Sequence, residues 1–138
     1  MRIAGIAVLA WLAATVLTMS AGAVVSGERP GIADLVGVAT TTFVAGAALV
    51  LACYLPGLWL LRRRVGGRLS ALQAATATGV GLNMPAFLVL AIMSSRAGVF
   101  AAGEAVWLAI LLLLFGVLFG LGYARYCQQA AVTLRSSA

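Results

Sequence analysis

Apolar and polar positions in this chain fall into long blocks rather than alternating. Residues 3–27, 35–61, 69–95 and 105–124 carry no charged side chain, and every arginine, aspartate and glutamate lies between or beyond these blocks. About 20 mostly apolar residues in a helix suffice to cross roughly 30 Å of hydrocarbon. The pattern predicts transmembrane helices over residues 3–25, 35–61, 69–94 and 103–124, within a single integral membrane domain covering residues 1–138. The expected fold is all-α, a four-helix transmembrane bundle. Its short connections make sequential helices antiparallel neighbours.

Local signals agree with these limits. Pro30-Gly31 breaks the chain after the first block, and Asp34 is the expected N-cap of the second helix. Gly66-Gly67 turns the chain again. Ser70 and Gln73 have capping-box spacing at the head of the third helix. Glu104 falls in the first turn of the fourth, where the helix dipole favours an acid, and it is placed to pair with Arg96 across the preceding turn. Trp59, Tyr123 and Tyr126 read as one interfacial aromatic belt and Trp107 as the other.

Charge then gives an orientation. Arg2, Arg62, Arg63, Arg64, Arg68, Arg125 and Arg135 share one side of a four-span chain. Arg29 and Arg96 lie on the other, with the acids Glu28, Asp34 and Glu104. By the positive-inside rule the first side is cytoplasmic, so both termini are expected inside (N-in/C-in). The expected location is the bacterial cytoplasmic (inner) membrane. A secretory leader competes at the N-terminus, where Ala21-Gly22-Ala23 follows an apolar run. That run exceeds the roughly 7–15 residues of a leader's apolar region, which favours a retained helix.

Composition removes whole classes of function. With 64% hydrophobic and only 9% charged residues, the chain lacks the polar surface of a soluble domain. The net charge of +6 does not point to nucleic acid, because the arginines sit at helix ends rather than on a soluble face. Arg62, Arg63, Arg64 and Arg68 instead form a basic cluster at the membrane surface. It is expected to fix topology and to attract anionic lipid headgroups, at about 1 kcal/mol per residue. Cys53 lies ~13 Å inside the membrane from Arg62, at 1.5 Å per residue, whereas Cys127 lies at its edge, so no disulfide is expected. Without histidine or any carboxylate inside the spans, neither a metal site nor a haem has a ligand set. No cofactor is expected.

Close helix contact in membranes relies on small residues at four-residue spacing. Each block has such a stripe: Ala10, Ala14, Thr18 and Gly22; Gly37, Thr41 and Ala45; Ala71, Ala75, Gly79 and Asn83; Gly116, Gly120 and Ala124. These stripes are the expected bundle interior. Gly116 and Gly120 form a GxxxG and are also the first place to expect contact between copies.

Two constellations could carry chemistry. In Gly79-Val-Gly81-Leu-Asn83-Met-Pro85, the proline lacks the N–H that would bond the Gly81 carbonyl. Asn83 sits near the membrane midplane. A broken helix with a free carbonyl and an amide at that depth suits a small-solute or ion site. The favoured reading of the same features is a proline kink with one asparagine bonding neighbouring helices. The second constellation is Thr40-Thr41-Thr42 with Thr18 and Ser20, a possible outward-facing polar vestibule leading to Asn83. Only Thr41 of the three shares the small-residue stripe, and threonine can satisfy itself on a carbonyl one turn back.

No nucleophile has a base, and no acidic, basic or histidine side chain lies within a span. The chain is therefore expected not to be an enzyme. The leading reading is a non-enzymatic accessory or assembly subunit of a membrane complex. The alternatives are an oligomeric solute or ion channel or transporter around Asn83, and a holin-like pore. Four helices scarcely enclose a pathway, so a homo-oligomer or larger complex is expected.

Overall fold

The computed structural model describes residues 2–27, 31–65, 69–95 and 102–136. Four long helices form an all-α bundle, and each is long and apolar enough to cross a membrane. The chain is an integral, multi-pass membrane protein by this architecture.

Helix α1 runs from Arg2–Ser26. Helix α2 begins as Ile32–Leu49, widens into a π-turn over Val50–Tyr54 and continues as Leu55–Arg64. Helix α3 begins as Ala71–Thr76, passes through a second π-turn at Ala77–Gly81, is interrupted at Leu82 and Asn83, and resumes as Met84–Ser95. Helix α4 is a continuous Ala102–Ser136.

Both π-turns lie just ahead of a proline, Pro56 in α2 and Pro85 in α3. A proline ring inside a helix collides with the carbonyl four residues back and leaves it without a donor. One extra residue in the preceding turn moves that carbonyl aside, which is the physical reason we assign to both π-turns. In the second one, the Leu82 amide bonds the Ala77 carbonyl five residues back, at 2.7 Å. The opening of α3 therefore begins before the Gly81 carbonyl, ahead of the kink expected at Pro85.

Helix ends partly follow the sequence signals. Ser70 and Gln73 form a reciprocal capping box, with both bonds at 3.1 Å. Asp34 is not the N-cap of α2. Gly31 takes that place with extended backbone, so Asp34 falls at the third helical position, where an acid suits the dipole. Helix α4 continues well past residue 124, because Arg125 ends the apolar span without ending helix propensity: Gln, Ala and Leu follow it. Arg68 and Arg96, and with Arg96 the expected pair to Glu104, lie outside the described residues.

Helix α4 is the hub, packed against α1 and along α3, with α2 reaching it through large side chains. Three of the four small-residue stripes face inward: Ala10, Ala14 and Thr18; Ala75, Gly79 and Asn83; Gly116, Gly120 and Ala124 are all buried. The α2 stripe is a correction. Gly37, Thr41 and Ala45 are exposed, and the neighbouring stripe of Thr42, Gly46 and Val50 is buried instead. Large partners decide between these two small faces. The Phe115 ring lies against Gly46, and the Trp11 indole N–H, which needs an acceptor in hydrocarbon, donates to Thr42 Oγ1 at 3.2 Å. Tyr123 is a second correction. It is buried and stacked on Phe119 with centroids 6.3 Å apart, so it belongs to the core rather than to an interfacial belt.

Candidate functional site

The interruption in α3 turns Asn83 into the centre of the bundle, where it is 0% exposed. Its Oδ1 accepts the Tyr54 hydroxyl of α2 at 2.5 Å. Its Nδ2 donates to the Leu112 carbonyl of α4 at 2.8 Å and to the Gly79 carbonyl of α3 at 3.1 Å. In a regular α-helix the Gly79 carbonyl would take the backbone N–H of Asn83; here the side-chain amide of the same residue bonds it. One amide thus ties three helices together with both of its N–H groups in use.

The surroundings leave this amide no open side. Tyr54 lies among the rings of Phe115 and Phe119, with centroids 5.7 and 5.5 Å away. Leu82 fills the space beside Gly57, where an added Cβ would lie 2.5 Å from Leu82 Cδ2. One turn toward the arginine-bearing end, the Thr78 hydroxyl lies 2.5 Å from the Gly116 carbonyl and 2.8 Å from the Ala74 carbonyl. Gly116 and Gly120 permit this approach. An added Cβ at Gly120 would lie 2.5 Å from the Ala74 carbonyl oxygen, and one at Gly116 would lie 2.8 Å from Asn83 Nδ2. Both glycines are spent on α3 of the same chain, so the expectation that this face meets another copy is corrected: α3 already occupies it.

The remaining sequence candidates do not gather around Asn83. Gly81 and Pro85 are exposed at the outside of the break. Thr41 is exposed and donates to the Gly37 carbonyl at 2.8 Å. Thr18 is buried and donates to the Ala14 carbonyl at 2.8 Å. Thr40 and Thr42 likewise bond Val36 and Val38 in their own helix. No vestibule forms from these threonines, because three consecutive residues point in three directions and each finds a carbonyl one turn back.

Tyr54, Thr78 and the Leu112 carbonyl belong to this node and were not anticipated. Tyr54 did leave a signal, as a phenol deep inside an apolar block that must find a partner for its hydroxyl. A backbone carbonyl such as that of Leu112 leaves none.

At the arginine-bearing end, Arg62, Arg63 and Arg64 are exposed on the last turn of α2. The Arg63 guanidinium lies 4.3 Å from the centroid of the Trp59 ring, and Arg62 Nη1 lies 3.9 Å from Cys127 Sγ. Cys53 and Cys127 are both free thiols. Among the described residues no three His, Cys, Asp or Glu side chains come together as a metal site would need. Comparison of the chain with protein-family models, with curated proteins and with solved structures finds no match.

Proposed function

We propose that this protein is a non-enzymatic accessory or assembly subunit of a bacterial inner-membrane complex, acting through its transmembrane surface. The observation that supports this most is the state of Asn83. The amide best placed to bind a solute is fully buried and bonded to Tyr54, Gly79 and Leu112. A polar group used in this way holds helices together, and a transported solute would have to break those bonds to reach it. In this reading both termini are cytoplasmic, and Arg62, Arg63 and Arg64 rest among anionic headgroups.

The test combines partner capture with a flux assay. Affinity purification in mild detergent is expected to recover a defined set of membrane proteins in fixed ratio. Purified protein in liposomes is expected to give no solute or ion flux, with Asn83→Ala behaving like the unaltered chain. Flux that the unaltered protein supports and Asn83→Ala abolishes, with folding intact, would overturn the proposal in favour of a transporter.

A further inference from the structure

Helix α3 is two helices of unlike attachment joined at one break. Toward the arginine-bearing end it is pinned: Ala74, Ala75, Thr78, Gly79 and Asn83 are all buried, and α4 approaches through Gly116 and Gly120. Beyond the break the attachment loosens: the segment still touches α4, with Phe87, Leu90 and Met93 half-buried. No residue of Met84–Ser95 is buried. Between this segment and the start of α4 lies a cleft of about 350 Å³, with Phe87, Leu90 and Ala91 on one wall and Ala105, Val106 and Ala109 on the other.

The join itself has the composition of a pivot. The α-helical ladder is interrupted at Leu82 and Asn83. Gly81 sits in open space, with nothing within 4 Å of the position a Cβ would take. Pro85 supplies no amide to restore the ladder. Hinges in helical proteins are a few residues at element ends that absorb backbone rotation, and Gly81–Pro85 fits this description on all three counts. The alanines at 91, 105 and 109 give the facing walls the small residues that let two helices come together.

We propose that Met84–Ser95 is a hinged arm, which pivots about Gly81–Pro85 to close or open the cleft against α4 while the remainder of α3 stays fixed. Asn83 is the fixed point of this hinge: its bonds to Tyr54 and Leu112 hold the near side of the break whichever way the arm lies. A partner that prefers one arm position would shift the population of the two.

The experiment is pulsed electron–electron distance measurement in lipid nanodiscs, in a chain carrying Cys53→Ala and Cys127→Ser. One spin-label pair, at Ile92→Cys and Ile110→Cys, reports on the arm. A control pair, at Leu72→Cys and Leu121→Cys, reports on the pinned half. All four positions are exposed, so the labels point to lipid. The arm pair is expected to give a distance distribution at least about twice as wide as the control pair, or two resolved populations. Adding Gly81→Ala and Pro85→Ala together restores a continuous ladder and is expected to narrow it to the control width. An arm pair as narrow as the control in the unaltered hinge would overturn the proposal. So would a width unaffected by the two hinge substitutions in protein whose thermal unfolding shows it folded.

Discussion

The two ends of this bundle are built differently. Toward the arginine-bearing end, α2, α3 and α4 interlock: Tyr54, Leu58, Leu69, Ala74, Phe115, Phe119, Tyr123 and Ala124 are buried together. Toward the other end, neither Met84–Ser95 nor the described side chains of α4 before Leu111 contribute a buried residue. Met84–Ser95 carries no charged residue and is strongly apolar, so lack of hydrophobicity does not account for its exposure. Inside a membrane, lipid is as apolar as leucine, and helices stay together by close approach and hydrogen bonds. The tight end has both devices, glycines at 116 and 120 and the amide at 83. The other half of α3 has neither an inward amide nor a buried glycine.

The contrast is broken most severely at Gly120. Gly120→Leu places a branched side chain against the Ala74 carbonyl, which is backbone and cannot turn aside. We expect a loss of about 3 kcal/mol or more, seen as a fall in thermal midpoint in detergent and disrupted tertiary packing by near-ultraviolet circular dichroism. Gly37→Leu is the matched control, since nothing lies within 4 Å of the position its Cβ would occupy. If both variants melt together, the tight end is not tight.

How much of this was legible in the sequence follows the same division. The spans could be read because charge is excluded from hydrocarbon, and the Ser70–Gln73 box because a cap is a local bond. The stripes of α1, α3 and α4 could be read from the four-residue spacing of their small residues. In α2 two small faces lie side by side, and Trp11 and Phe115, remote in sequence, select Thr42 and Gly46 over Thr41 and Ala45. The π-turns were hidden for another reason: Pro56 and Pro85 announce a disturbance, but its form depends on what fills the opened turn. At Gly57 that filler is Leu82 of the next helix. The prominence of Asn83 was readable; its partners Tyr54 and Leu112 needed the tertiary structure.

A smaller effect sharpens the role of that node. Asn83→Leu removes bonds to two other helices and is expected to cost about 0.6–2 kcal/mol, the range measured for interhelical hydrogen bonds in membranes. Reversible unfolding in mixed micelles reads this directly, and an unchanged stability would mean that the node does not hold the tight end together. The smallest effect is expected at Thr15, whose hydroxyl is buried without a hydrogen-bond partner. Thr15→Val keeps the shape and removes the orphaned group, so stability should stay level or rise by up to about 1 kcal/mol. A clear loss would reveal that the hydroxyl has a partner in the folded membrane protein.

The position of α4 in the chain has a consequence for biogenesis. The helix that supplies the Leu112 carbonyl and the glycine face is the last of the four to be synthesised. Until it enters the bilayer, α3 carries an asparagine and α1 a stripe of small residues whose main partner does not yet exist. Before that, α1 and α2 have only their own contacts, the Trp11–Thr42 bond among them, to hold them together. The contacts of α4 with both α1 and α3 thus become available only once the last span is made.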